Sequence, residues 1–172
     1  MNWIDCESQH LEAIRGILNE AILHSTALYD YEPRSPEVME AWWDAKQKGS
    51  YPVIGVVNDS GELMGFASYG PFRSFPAYKY TVEHSVYVDA RFRSQGLGKR
   101  LLQRLLQIAQ DQGYHVLVGV IDAANEPSVQ LHERLGFTRC GELREVGFKF
   151  GRWLDLVIYQ RQLPTPAHPV DG

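Results

Sequence analysis

Residues 93–98, Arg-Ser-Gln-Gly-Leu-Gly, followed by Lys99 and Arg100, carry the plainest chemistry in this 172-residue chain. They follow an apolar, β-branched run that ends at Val88. They open an amphipathic stretch in which Leu97, Leu101, Leu102, Leu105, Leu106 and Ala109 recur at helical spacing. A glycine-bearing turn between a strand and a helix start is suited to an anion. The first amides of a helix have no internal partners, and the helix dipole adds partial positive charge there. Gly96 and Gly98 let a ligand approach the backbone closely, and Arg93, Lys99 and Arg100 supply formal charge. The spacing predicts a ligand with a phosphate or pyrophosphate. A P-loop is excluded, because Arg93 stands where its first glycine belongs and Arg100 where it needs Ser or Thr. A dinucleotide fingerprint fails at Leu101, where the third glycine would fall. On these residues alone, a plain helix start that happens to contain glycines is the competing reading.

The elements that must position this loop follow from periodicity and turn signals. Asn2–Cys6 reads as a short strand, and Ser8 as the cap of a helix with Leu11, Ile14, Ile17, Leu18, Ala21 and Ile22 on one side. Ser35-Pro36-Glu37 opens a second helix that runs to about Lys48. Tyr51–Val57 and Glu62–Tyr69 flank Asn58-Asp59-Ser60-Gly61 and predict an antiparallel hairpin. Tyr78–Val88 reads as a long strand, and the central helix ends before Gly113. His115–Ile121 is almost wholly apolar and follows a helix, which predicts a parallel crossover strand. Pro127 opens a short helix. Two strands follow, Phe137–Val146 and Trp153–Gln162, with Gly147–Gly151 expected as their connection. The sum is an α/β chain with a central mixed sheet and helices on both faces. A single domain over 1–163 and a loose tail over 164–172 are expected.

Composition narrows the function classes. The formal net charge is −4, so general nucleic-acid binding is not expected, and the basic cluster between Arg91 and Arg104 is a local feature. Cys6 and Cys140 are the only cysteines and have no metal-ligand spacing. No metal is expected: His132-Glu133 is not a zinc H-E-x-x-H, because Gly136 takes the last place. A cytoplasmic protein with reduced thiols and no membrane association is the expectation.

The R-x-x-G-x-G loop resembles the acetyl-coenzyme A pyrophosphate loop of the GNAT acetyltransferases, and the element order matches their strongly twisted mixed sheet. Asn125-Glu-Pro-Ser128 through Gly136-Phe137 is similar to a second family segment. Glu83-His-Ser-Val-Tyr-Val88 and Gly147-Phe-Lys-x-Gly151-x-Trp153-x-Asp155 further resemble the phosphinothricin and methionine sulfoximine N-acetyltransferases. The likeness runs from about Asn2 to Leu163. It implies acetyl-CoA as co-substrate, held by Val86, Tyr87, Val88, Arg93, Ser94, Gln95, Gly96, Leu97, Gly98, Lys99, Asn125 and Ser128. It implies a small amino-acid-like amine as the acceptor, contacted by Arg73, Ser74, Phe75, Glu83, His84 and Ser85. It also implies a homodimer.

The implied reaction is direct acetyl transfer to a primary amine. An α-ammonium titrates at about 8, so a base must take its proton near neutrality. Placed beside the coenzyme A motif, Glu83 is the expected base. His132 stands where many relatives have a tyrosine that protonates the thiolate, and its role is left open between acid and positioning group. His84, one residue beyond Glu83, should point to the opposite face of its strand, with a substrate or a structural role. Two rival readings are another amine acceptor (a protein N-terminus, a polyamine or an aminoglycoside) and a non-catalytic acetyl-CoA sensor.

Overall fold

The computed structural model describes residues 1–171. Its elements in chain order are β1 (Asn2–Asp5), α1 (Leu11–His24), α2 (Pro36–Lys48), β2 (Val53–Val57), β3 (Leu63–Pro71), β4 (Thr81–Val88), α3 (Leu97–Asp111), β5 (Val116–Asp122), α4 (Glu126–Arg134), β6 (Thr138–Lys149) and β7 (Arg152–Gln162). The strands order as β1-β2-β3-β4-β5-β7-β6 in a mixed sheet. The chain divides into two compact units, Met1–Ser68 with Ser85–Leu102, and Tyr69–His84 with Gln103 onward. β3, β4 and α3 each pass from one unit into the other.

In the first unit β1, β2 and β3 form an antiparallel ladder, with Asn2 opposite Val57 and Val53 opposite Ser68. The hairpin turn forms because Asn58 Oδ1 accepts the amides of Ser60 (3.1 Å) and Glu62 (2.9 Å). α2 starts where expected: Ser35 Oγ accepts the Val38 amide at 3.3 Å and Pro36 takes the first helical position. α1 starts later than Ser8 implied. Glu7 and His10 cap each other around a 3-10 turn over Ser8–His10, and the α-helix begins at Leu11. Ile14, Ile17, Leu18 and Met39 from these helices pack with Val53, Val57, Leu63 and Phe66 of the strands, and both Trp42 and Trp43 lie partly buried against them.

In the second unit β5 is the hub. It pairs in parallel with β4 over Thr81–Glu83 opposite Val116–Val118, as the crossover reading required. It pairs antiparallel with β7 along its whole length. β4 begins at Thr81 rather than Tyr78, because Pro76 starts a 3-10 turn closed by Tyr78 N–H on the Phe75 carbonyl at 3.0 Å. The β6–β7 hairpin is longer than expected. Its connection is only Phe150-Gly151, with φ of 51° and 74°, between the paired Lys149 and Arg152. Two positive φ values define the turn whose twist suits a two-residue hairpin. A bulge falls between Leu143 and Gly147, where the Glu145 amide donates to Asp155 Oδ1 at 2.8 Å. Beyond β7 the tail is tied back: Thr165 Oγ1 donates to the Tyr114 carbonyl at 2.6 Å, and the Val170 amide donates to Tyr80 Oη at 3.1 Å.

α3 buries Leu97, Leu101, Leu102, Leu105 and Ala109 and exposes Lys99, Arg100, Gln103 and Arg104, as the periodicity assigns, while Leu106 at the edge of the apolar face is only partly buried. Leu105 has no exposed surface. Leu105→Ala is expected to destabilise the fold by about 2–5 kcal/mol in denaturant titration, and Gln103→Ala by less than about 0.5 kcal/mol. Equal losses would contradict the burial of this face.

Candidate active site

The basic loop is built on a strand end and a helix start. Asp89 closes β4: its amide donates to the Met64 carbonyl at 2.9 Å, and its Oδ1 accepts the Arg91 amide at 2.9 Å. Arg91 is then held by Asp89 Oδ2 at 2.7 Å and Glu62 Oε1 at 2.6 Å, which makes it a strut of the loop. Its guanidinium holds the Asp89 carboxyl below the usual range. Ser94, Gln95 and Gly96 are exposed, with φ of 63° at Ser94 and 73° at Gly96. The positive φ at Gly96 explains the glycine there, and an added Cβ would meet nothing within 4 Å, so the space before α3 is open.

The charges expected at this loop are partly spoken for. Arg93 donates from Nη2 to Glu20 Oε2 at 2.7 Å, and from Nε to the Val88 carbonyl at 3.4 Å. Arg100 lies over the Trp3 ring at 5.5 Å, with Nη1 against Met1 Sδ at 3.1 Å. Lys99 is exposed. Exposed ion pairs are worth little, so an incoming phosphate can displace Glu20 from Arg93. The open glycine, the exposed residues beside it and the 15-residue helix behind them suit a pyrophosphate. Val86, Tyr87 and Val88, the implied partners of the pantetheine amides, are half-buried.

The second unit holds the titratable groups. On β4 the side chains alternate, with Val82 and His84 buried and Glu83 between them exposed. The protein around the Glu83 carboxyl still raises its pKa above the ordinary value, and the positive charge of Arg73 partly offsets this. Arg73 lies over the Phe72 ring at 5.2 Å, and Phe72 meets Tyr78 edge-on at 5.6 Å. Phe75, an implied acceptor contact, is 71% exposed in the single chain, and Tyr80 is engaged by the tail. Ser74 is exposed and Ser85 half-buried.

The pleat turns His84 inward, which favours the structural over the substrate role. It is 9% exposed and its Nε2 lies 3.2 Å from His132 Nε2. His132, also buried, places Nδ1 2.7 Å from the Ser128 carbonyl. Burial pushes both imidazoles below their ordinary pKa. The partner ring adds to this at His84, and the Ser128 carbonyl pulls His132 part of the way back. Both nitrogens of His132 therefore face protein atoms. Asn125 caps α4 through Oδ1, which accepts the Ser128 amide at 3.2 Å, so its Nδ2 is the atom left to donate to a pantetheine carbonyl.

Glu20, the partner of Arg93, and Gly119, which lies against the histidine pair, escaped sequence reasoning. A glycine inside an apolar strand does signal close approach of another group, and Gly119 carried that signal. Nothing local to Glu20 pointed to the loop. Among the described residues no group of three or more His, Cys, Asp or Glu could hold a metal ion, and no helix is long and apolar enough to cross a membrane.

Comparison with known proteins agrees with this architecture. Residues 17–137 match the acetyltransferase (GNAT) family. The L-methionine sulfoximine/L-methionine sulfone acetyltransferase of Pseudomonas paraeruginosa is 44% identical over 160 residues, covering 92% of this chain and 93% of that one. The phosphinothricin N-acetyltransferase of Streptomyces viridochromogenes is 39% identical over 164 residues, covering 93% and 87%. The crystal structure of a GNAT superfamily phosphinothricin acetyltransferase from Sinorhizobium meliloti in complex with acetyl-CoA superposes with a TM-score of 0.94 at 32% identity, covering 98% and 91%. This chain belongs to the GNAT acetyltransferase family and is an acetyl-transferring enzyme.

The Glu83 environment can be measured directly. Its side-chain carboxyl, followed by carbon NMR, should titrate above the usual carboxylate range. Arg73→Ala removes a positive charge that favours the carboxylate, so the midpoint should move further up. A midpoint that falls in this variant would contradict the placement of Arg73.

Proposed function

We propose that the enzyme acetylates the α-amine of a small amino acid whose side chain carries a tetrahedral, oxygen-bearing group, of the methionine sulfoximine, methionine sulfone or phosphinothricin kind. Acetyl-CoA is the donor and Glu83 the general base. The observation that carries this reading is Glu83 itself, a solvent-reaching carboxylate at the last rung of the β4–β5 pairing, with a raised pKa and the charge of Arg73 acting on it. The names of the relatives support the substrate class, and the Sinorhizobium complex supports the donor.

Acetyl-CoA supplies a thioester, whose carbonyl an amine can attack and whose thiolate can leave. The chain supplies the rest. The 93–98 loop and the start of α3 bind the pyrophosphate, and the backbone of Val86–Val88 pairs with the pantetheine amides as an added strand would. Asn125 donates to the same arm. Arg73 offers a fork for the substrate carboxylate, which places the α-ammonium for loss of its proton to Glu83, directly or through one water. A raised pKa suits this step, since a base works best when it titrates near the working pH. The exposed loop at Phe75 supports a homodimer that closes the site. The bare aromatic surface of Phe148, Phe150 and Trp153 on the β6–β7 hairpin supports it as well. The free thiols of Cys6 and Cys140 suit a reducing cytoplasm.

Thiol release from acetyl-CoA tests the substrate class. Methionine sulfoximine, methionine sulfone and phosphinothricin should be turned over, and peptides, polyamines and aminoglycosides should not. Activity confined to the second group would overturn the substrate class. Calorimetric binding of acetyl-CoA without thiol release on any amine would favour the sensor.

Glu83→Gln should leave acetyl-CoA affinity unchanged and lower kcat by about two to four powers of ten near neutrality, with the deficit shrinking as pH rises and free amine accumulates. The acid limb of kcat/KM in the wild type should coincide with the Glu83 titration. Wild-type turnover in Glu83→Gln would mean that another group is the base.

A further inference from the structure

We propose that His84 is a positioning residue. Its Nε2–H donates to His132 Nε2 and so anchors the first turn of α4, with Asn125 and Ser128, to the segment of β4 that carries Glu83. The proton positions follow from the partners. His132 Nδ1 lies 2.7 Å from the Ser128 carbonyl, and a carbonyl only accepts, so Nδ1 carries hydrogen. The neutral ring then has its lone pair on Nε2. His84 Nε2, 3.2 Å away, must be the donor to that lone pair. This leaves a lone pair on His84 Nδ1, a buried side-chain atom with no hydrogen-bond partner among the described residues.

The opposite arrangement is worse on two counts. A doubly protonated His132 donating to His84 would bury a positive charge. It would also turn His84 Nδ1 into an N–H with no acceptor. The titratable groups nearby do not offset that charge. Tyr159, 6.2 Å from the His132 ring, spends its hydroxyl on Glu133 Oε1 at 2.9 Å, and Phe137 meets both imidazoles edge-on.

Three elements converge on this one bond. His84 comes from β4, His132 from α4, and Gly119 from β5 lies against both rings. A Cβ at Gly119 would sit 2.9 Å from His132 Nε2 and 3.0 Å from His84 Nε2, so the absence of a side chain there leaves room for the bond. The chain of contacts runs from His84 through His132 to the Ser128 carbonyl, inside the turn that Asn125 caps. It also assigns His132 a fixed role. Its one proton is committed to a helix carbonyl and its one lone pair to His84, so His132 holds α4 in place and has no proton to give a departing thiolate.

The kinetic consequence rests on the function proposed above, with α4 as a contact of acetyl-CoA. The tautomers do not, and they come first in the test. Long-range nitrogen–proton NMR of the wild-type protein near neutral pH should show His132 neutral and protonated on Nδ1, and His84 neutral and protonated on Nε2. The reverse tautomer of either ring, or a charged His132, would overturn the proposal whatever the substrate. His84→Gln keeps an N–H close to the position of Nε2 and should hold the KM for acetyl-CoA within about threefold of wild type. His84→Leu should raise it about tenfold, the worth of one ordinary hydrogen bond. The KM for the amine and kcat at saturating acetyl-CoA should stay within about threefold in both variants. Equal impairment in Gln and Leu, or an effect that falls on the amine KM, would show that His84 acts by bulk or by touching substrate, and would overturn the positioning role. If no amine is turned over, calorimetric acetyl-CoA affinities of the same variants replace KM. Failure of the functional reading is thereby kept apart from failure of the bond.

Discussion

The pleat of β4 is the constraint from which the site follows. Consecutive residues of a strand face opposite ways, so Glu83 and His84 cannot do the same work. One reaches solvent, where a base can meet an amine. The other is driven inward, onto α4 and β5. A slip of one residue in the pairing of Thr81–Glu83 with Val116–Val118 would bury the carboxylate and expose the imidazole. The apolar neighbours oppose such a slip, because Val82 and Leu117 are both buried in this register. Core packing in the second unit thus sets the orientation of the candidate base before any ligand arrives.

The loop of residues 89–98 solves a different problem, which is to present positive potential without a cluster of free cations. Arg91 is consumed by Asp89 and Glu62, Arg93 rests on Glu20, and Arg100 lies on Trp3. What the loop offers is backbone: the exposed residues Ser94, Gln95 and Gly96, a glycine at positive φ and the start of a long helix. The Arg93–Glu20 pair then acts as a placeholder. It keeps the guanidinium at the loop, and under the proposed function it would give way to a phosphate at little cost.

Much of this was legible in the sequence where one physical signal dominated. Helical spacing named the buried face of α3 except at Leu106, which lies at its edge and is only partly buried, and Ser35-Pro36 marked the start of α2. The solid apolar run after α3 implied the parallel β4–β5 pair. Legibility failed where a local signal competed with tertiary structure. Gly147–Gly151 contains two glycines and read as a connection, yet cross-strand pairing carries β6 through Gly147 to Lys149 and confines the turn to Phe150-Gly151. The site showed the same split. Glu83 and the glycine loop sit in recognisable sequence contexts. The His84–His132–Gly119 contact joins residues 35 and 13 positions apart in sequence, which no local pattern encodes.

Burial acts on the two neighbours of β4 in opposite senses, and the two effects support each other. It raises the carboxyl of Glu83 and lowers the imidazoles of His84 and His132, because in each case the charged form loses hydration. A neutral histidine pair places no positive charge beside Glu83. Were the pair to carry a proton, that charge would stabilise the carboxylate, pull its pKa down and weaken it as a base. The bond that uses the lone pair of His132 therefore does more than hold α4. By favouring the neutral rings it preserves the basicity of the carboxylate one residue away, and leaves Arg73 as the cation that tunes it.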